Sequence, residues 1–231
     1  LYPSVARAHN LCFSTILSEE TIAEKGLVEG VHYMRASNIV SIDPETQKIT
    51  YGDNSGNPAF ATEAYQAGLV PLIETILFFG RKCTKRQMGA VFTVLKDMAR
   101  PAGCRDQYRK LLEKHYTDEM RSSSHDWRSD DETEQLAYVL RRELALLSHS
   151  TVTMGEIKDR LQFENDWLDA RQLAEKIIMN SIYGFFGCAK SKVALLELAY
   201  TITCLGRWDI AITSRYTKKY INRAHGYPFD A

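Results

Sequence analysis

The sequence lacks an excess of charge of either sign, because its 29 lysine and arginine residues balance its 29 aspartate and glutamate residues. The chain as a whole therefore carries no electrostatic signal for nucleic acid. Basic residues are concentrated locally between residues 81 and 100, where Asp97 is the only acid. The sequence also lacks a signal peptide and an apolar run of membrane length, which predicts a protein with no membrane partner.

Cysteine is scarce and irregularly spaced. The five cysteines are odd in number, form no CxxC pair and have no histidine at the spacing of a zinc site. Buried free thiols in an intracellular, reducing compartment are therefore favoured over disulfides or a metal. At 231 residues and 45% apolar content, the chain can bury one large core or two modest ones, which excludes a disordered or fibrous protein.

The most informative segment runs from Lys176 to Gly184, with the sequence KIIMNSIYG. On a helix, Lys176, Asn180 and Tyr183 stand at i, i+4 and i+7 and share one face. A lysine on that face can meet a phosphate while the amide and the phenol ring lie nearer to a sugar and a base. The pattern predicts a helix that binds a nucleotide, and Gly184 is expected to end the stripe.

This pattern, KxxxNSxYG, resembles the second motif of the family B DNA polymerases. Three other segments resemble further family motifs and occur in the family's order. The similarity covers both ends and much of the middle, and weakens between about residues 96 and 168. The three segments are Leu1-Tyr2-Pro3-Ser4-Val5, like the end of the first motif; Gly68-Leu69-Val70-Pro71 with Arg81-Lys82-Cys83-Thr84-Lys85, like the family's GxLP and RKxxK helix; and Ile202 to Arg207, like the ITxxGR helix.

The resemblance implies an α+β fold, in which a polymerase palm fragment with helices on a small antiparallel sheet carries a long helical-hairpin fingers domain. It places the palm in 1–65 and 188–231 and the fingers in 66–187, with a polar insertion near 118–135. Local patterns predict β-stretches in 32–41 and 47–51 and a mobile tip in 121–132. They predict helices in 4–17, 71–98, 106–120, 134–147, 153–183 and 194–220.

The resemblance also implies an activity, DNA-dependent DNA polymerisation, in which a dNTP is added to a primer 3′-hydroxyl on primer-template DNA with two Mg²⁺ ions. Arg81 and Lys85, at i and i+4, would bind the triphosphate together with Lys176 from the facing helix. For Arg81 and Lys85 taken alone, a solvated basic face is the alternative.

The remaining site residues are also implied by the resemblance. Backbone amides of Leu1 and Tyr2 would meet the triphosphate, and the Tyr2 ring would form a gate against a 2′-hydroxyl. Asn180, Tyr183 and Gly184 would line the nascent base pair. For this last group the alternative is a helix interruption with core aromatics and a simple glycine cap.

No catalytic metal ligand is expected within this sequence. By resemblance, the metal-binding aspartates lie three residues before Leu1 and just beyond Ala231, so we expect the isolated chain to be inactive. The segment 51–55, YGDNS, imitates the family's YGDTDS. It precedes the second motif, lacks the second aspartate and runs into Gly56-Asn57-Pro58, so it predicts a turn.

The source of the chain is a finer prediction. The large segment between the fingers helices and the sequence Asn10-Leu11-Cys12 look most like polymerases of large double-stranded DNA viruses, herpesvirus-like ones in particular. That origin predicts the host nucleus as location and a processivity subunit bound through regions outside this sequence. Two alternatives from other classes are a catalytically inactive, polymerase-like DNA-binding scaffold and an unrelated helical interaction protein.

Overall fold

The computed structural model describes residues 2–36, 39–43, 48–53, 56–98, 105–149, 151–192 and 194–218. Its helices are α1 (Tyr2–Ala8), α2 (Glu19–Glu24), α3 (Leu69–Met98), α4 (Arg105–His115), α5 (Asp118–Ser122), α6 (Glu132–Ser148), α7 (Met154–Gly187) and α8 (Leu196–Tyr216), with a 3-10 turn at Phe13–Thr15. Its strands are β1 (Ile16–Leu17), β2 (Tyr33–Arg35), β3 (Ile39–Ile42), β4 (Ile49–Tyr51) and β5 (Ala59–Ala61).

Two compact units make up the chain, one of Leu1–Ile76 with Met179–Ala231 and one of Leu77–Ile178. The first unit holds an antiparallel sheet in the order β1-β5-β2, with Phe60 opposite both Ile16 and Met34. Strands β3 and β4 pair separately. Phe60 is fully buried in a cluster with residues of α1 and α8, among them Val5 and Ile202. The predicted α+β fold is therefore confirmed.

The side chain of Asn10 joins three segments of this unit. Its Nδ2 donates to the carbonyl oxygens of Ala61 at 2.9 Å and Gln66 at 2.8 Å, and its Oδ1 accepts from the Gly68 amide at 2.8 Å. A Cβ at position 68 would lie 2.9 Å from Asn10 Oδ1 and from Cys12 Cβ, so only glycine fits. These contacts fix the chain just before α3 begins.

The predicted helix in 4–17 is wrong beyond Ala8. Asn10 adopts a φ of +53°, a left-handed conformation that asparagine tolerates better than most residues and that ends the helix. Cys12 then caps the 3-10 turn, and Ile16 pairs with Phe60 in the sheet. The apolar spacing that suggested one helix instead reflects burial of a turn and a strand.

The second unit is a cluster of helices. Val91 of α3, Leu112 of α4, Leu140 of α6 and Leu161 of α7 are fully buried in one core. The predicted single helix in 106–120 is wrong, because α4 ends at His115 and α5 starts after a separate cap. The same unit holds a completely buried carboxylate, Glu143 of α6.

The polar segment 121–132 is predicted to be a mobile tip, but its second half is held against α3. Asp130 accepts hydrogen bonds from Arg86 and, at 3.5 Å, from Lys82. Gln87 Nε2 donates to the Trp127 carbonyl oxygen at 2.6 Å. An acidic residue of the segment thus pairs with basic residues of α3. The composition of the segment alone does not reveal these partners, so it predicted a mobile tip.

Two other expectations bear on the described residues. None of the helices among them combines the length and apolar character needed to cross a membrane. Cys12, Cys83, Cys188 and Cys204 are free thiols; Cys12 and Cys204 are buried as predicted, whereas Cys188 is exposed. Cys104 lies outside the described residues.

Candidate nucleotide-binding site

Arg81 reaches from α3 to α7 within the 77–178 unit. Its Nε donates to the main-chain oxygen of Gln172 at 3.3 Å, and its Nη2 donates to Gln172 Oε1 at 3.2 Å. Gln172 stands four residues before Lys176 on the same helix, one turn away. The structure therefore places Arg81 beside the turn of α7 that leads to Lys176.

Lys176 is exposed and makes no hydrogen bond or ion pair with any residue that the structure describes. Its neighbour Glu175 is engaged: Oε1 accepts from Thr84 Oγ1 at 3.3 Å and from Arg171 Nε at 3.2 Å. Glu175 Oε2 is buried and has no partner among the described residues. The ammonium group of Lys176 is thus available to an anion, next to a carboxylate that is held elsewhere.

Lys85 is exposed on α3 and lines a cavity of about 470 Å³ together with Lys82 and Arg86. Arg86 and Lys82 both pair with Asp130, and Arg86 Nε also lies 3.4 Å from Glu132 Oε1, so two carboxylates balance these two cations. The structure thus brings Arg81 to α7, whereas Lys85 remains one helical turn away beside the neutralised cations.

Tyr2 and Tyr183 stack on each other in the first unit, with ring centroids 4.3 Å apart and an interplanar angle of 13°. The Tyr183 hydroxyl shares a hydrogen bond of 2.9 Å with Thr203 Oγ1 of α8. Tyr2 is 40% exposed, so part of its ring is open to a ligand. Sequence reasoning missed Thr203, although it lies within the segment that resembles the ITxxGR helix.

Asn180 and Gly184 are both exposed on α7. The helix does not end at Tyr183, the last residue of the predicted range, but continues to Gly187. A Cβ at Gly184 would meet nothing within 4 Å, so packing within the described structure does not require glycine there. Leu1, Asn54, Ser55 and Asp230 lie outside the described residues.

The described residues offer no cluster of metal ligands. Across the described parts of the chain, no group of three or more histidine, cysteine, aspartate or glutamate side chains could hold a metal ion. The residues described above therefore offer cations, amides and aromatic rings, which suit a nucleotide, and not a carboxylate cluster.

Comparison with known proteins agrees with this chemistry. Residues 1–99 and 105–229 match the protein family DNA polymerase family B. The DNA polymerase delta catalytic subunit of Candida albicans is 25% identical over 231 residues, which is all of this chain and 14% of that protein. The subunit of the same name from Drosophila melanogaster is 39% identical over 69 residues, or 30% of this chain and 6% of that protein.

The Schizosaccharomyces pombe subunit of the same name is 24% identical over 231 residues, again the whole chain, which spans 13% of that protein. The chain therefore covers about a seventh of the length of the two relatives that it matches over all of its residues. All three relatives are eukaryotic, and they give no support to a herpesvirus-like origin.

Proposed function

The chain belongs to DNA polymerase family B, and from this premise we propose that it supplies the nucleotide-binding part of a DNA-dependent DNA polymerase. The intact enzyme would extend a primer by attack of its 3′-hydroxyl on the α-phosphate of a dNTP. The contact of Arg81 with the turn of α7 before Lys176 carries the proposal, because it gathers cations from two helices.

The triphosphate would meet these cations directly. Arg81 offers a planar fork of N–H donors, and Lys176 a charge without a protein partner among the described residues. Hydrogen bonds to charged phosphate oxygens are stronger than neutral ones and favour a fixed geometry. Lys85 would join them from its exposed position on α3. These residues bind and orient the leaving pyrophosphate, which is the fingers role we propose for 66–187.

The sugar and the nascent base pair would lie against Tyr2, Asn180, Tyr183 and Gly184. The stack of Tyr2 on Tyr183, with the latter tied to Thr203, supports a rigid floor beneath the sugar. A rigid ring excludes a 2′-hydroxyl by collision, whereas a mobile ring would move aside. Asn180 and Gly184 are exposed on the same helix, as contact with a base pair would need.

We propose two Mg²⁺ ions for the intact enzyme, where they would neutralise charge on the phosphates. The described residues include no carboxylate cluster that fits them, so the metal-binding groups would come from elsewhere in the enzyme. Nothing in the roles given to Arg81, Lys176 and Tyr2 depends on where those ions lie.

Primer-template DNA and dNTPs are the partners we propose, with a processivity subunit bound through other regions of the enzyme. The described free thiols support an intracellular, reducing compartment. A viral source and a host-nuclear location stay predictions that the eukaryotic relatives do not support.

The first test is Lys176→Ala in the intact enzyme. Loss of one charged hydrogen bond should raise the KM for dNTP about 10- to 100-fold, equivalent to about 1.5–3 kcal/mol. Steady-state primer extension over a range of dNTP concentrations measures it. Lys158→Ala, at another exposed lysine of α7, is the matched control and should leave the KM unchanged. An unaltered KM for Lys176→Ala would remove Lys176 from the site and undercut the proposed function.

The second test is Tyr2→Ala, which should relax discrimination against ribonucleotides by about 10- to 100-fold, because the colliding ring is gone. The ratio of kcat/KM for dNTP to that for rNTP measures it. Tyr2→Phe keeps the ring and the stack on Tyr183 and should retain discrimination. Equal ratios for wild type and Tyr2→Ala would reject the gate.

A further inference from the structure

We propose that Gln172 is a positioning residue for Arg81 and determines which edge of the guanidinium group faces the triphosphate. The inference deepens the proposed function and rests on it. Gln172 itself need not touch the nucleotide, since it acts through the orientation of Arg81.

The two hydrogen bonds from Arg81 use one edge of its guanidinium group. Nε donates to the main-chain oxygen of Gln172 and Nη2 to the side-chain oxygen, at 3.3 and 3.2 Å. An arginine carries five N–H donors, so three remain, one on Nη2 and two on Nη1. Nη1 and Nη2 therefore each keep a free N–H at the end of the group, and these two donors would bind two phosphate oxygens.

The orientation of the Gln172 amide is fixed by a further contact. Its Nε2 donates to Asp169 Oδ1 at 3.0 Å, one turn earlier on α7. A carboxylate only accepts, so the amide nitrogen must face Asp169 and the amide oxygen must face Arg81. Asp169 therefore orients the Gln172 amide, and the Gln172 amide orients the Arg81 guanidinium group.

A second contact holds the two helices in the same register. Thr84 Oγ1 shares its proton between the Gly80 carbonyl oxygen at 3.0 Å and Glu175 Oε1 at 3.3 Å. Thr84 and Glu175 each lie three residues along, from Arg81 on one helix and from Gln172 on the other. Gly80 faces the same carboxylate, since a Cβ there would lie 3.8 Å from Glu175 Oε1. Loss of the Gln172 side chain therefore leaves α3 against α7 and changes only how Arg81 is held.

The chemical type of residue 172 determines how much of the Arg81 charge remains for the phosphates. A carboxylate in its place would hold Arg81 more firmly, but it would cancel the charge that the triphosphate needs. An amide orients the guanidinium group and leaves its full positive charge for the phosphates. A contact that served only to join the helices would work as well with glutamate.

The test measures the kcat and KM for dNTP of the intact polymerase carrying Gln172→Met, which keeps the length of the side chain and removes the acceptor. We expect the KM to rise about three- to tenfold, because the main-chain acceptor remains, with kcat within about twofold of wild type. Gln172→Glu should raise the KM at least as much. Gln162→Met is the matched control, because Gln162 also donates to an aspartate of α7, Asp166 at 2.9 Å, but holds no arginine.

A double-variant cycle with Arg81→Ala decides whether the effect passes through the arginine. In that background, Gln172→Met should raise the KM no further. The inference is overturned if the KM does not rise for Gln172→Met, if it rises by the same factor without Arg81, or if Gln172→Glu behaves as wild type. If Arg81→Ala alone leaves the KM unchanged, Arg81 does not bind the triphosphate, and its proposed role falls together with this inference.

Discussion

Replacing Glu143 with alanine should lower the free energy of unfolding of the 77–178 unit by about 1.5–3 kcal/mol, the usual cost of a lost charged hydrogen bond, because the Arg160 side chain left behind is 37% exposed. The Glu143 side chain is completely buried and accepts hydrogen bonds from Arg142 Nε at 3.0 Å and from Arg160. Arg142 also forms a forked pair with Glu164, at 3.0 and 2.6 Å. Without Glu143, Arg142 would keep this second carboxylate, whereas Arg160 would lose its ion-pair partner.

Urea unfolding followed by tryptophan fluorescence measures the effect. With Trp208→Phe in every variant, the signal comes from Trp127 and Trp167, which both lie in this unit. Glu113→Ala is the control, because Glu113 pairs with Arg109 at 3.4 Å on an exposed face and should contribute less than about 1 kcal/mol. The pair Glu143→Leu with Arg160→Met should recover most of the stability. Equal midpoints for Glu143→Ala and Glu113→Ala would contradict the prediction.

The two long helices could be predicted because their signals are local. Pro71 stands in the first turn of α3, and apolar residues recur at helical spacing up to Met98, so the predicted range 71–98 differs little from the observed Leu69–Met98. The predicted helix 153–183 likewise lies almost wholly within α7, which begins at Met154 and runs on to Gly187.

The error at the first helix and the error at the acidic segment arose where the deciding partner is distant in sequence. Asn10 ends the first helix by bonding to residues 51 to 58 positions away, which no local pattern contains. Glu143 follows two arginines and has the sequence of a solvated helix face, yet its partner Arg160 comes from the next helix. The polar composition of the segment before α6 predicts mobility, because the basic residues that hold the segment lie on α3 and are not part of its local sequence.

The site divides in the same way. The motifs predict Arg81, Lys176, Tyr2 and Tyr183 as site residues, and the structure brings Tyr2 to Tyr183 and Arg81 to the turn before Lys176. Gln172 could not be identified from spacing, because its role depends on which residue of another helix faces it.

Glu74→Gln should stabilise the protein at pH 8 by up to about 3 kcal/mol and have little effect near pH 4.5. Glu74 of α3 is 2% exposed, and its Oε2 has no partner among the described residues. Burial raises the pKa of this carboxyl from 4.5 to about 7, although the charge of Arg7 opposes the shift. The folded state therefore binds the proton more tightly than the unfolded state. The resulting stability is complete below pH 4.5 and is lost as the pH rises through about 7.

Unfolding free energies of wild type and Glu74→Gln, measured by urea titration from pH 4.5 to 8, give the difference at each pH. That difference should grow between pH 4.5 and 7 and then level off, because above pH 7 the wild-type carboxyl is ionised in both states. Glu24→Gln makes the same chemical change at an exposed position of α2 and serves as control. A difference that stays constant with pH would mean that Glu74 keeps its ordinary acidity, and that Arg7 compensates its burial fully. A growing difference would instead mean that the first turns of α3 hold an uncompensated charge above neutral pH, a destabilisation that the glutamine variant removes.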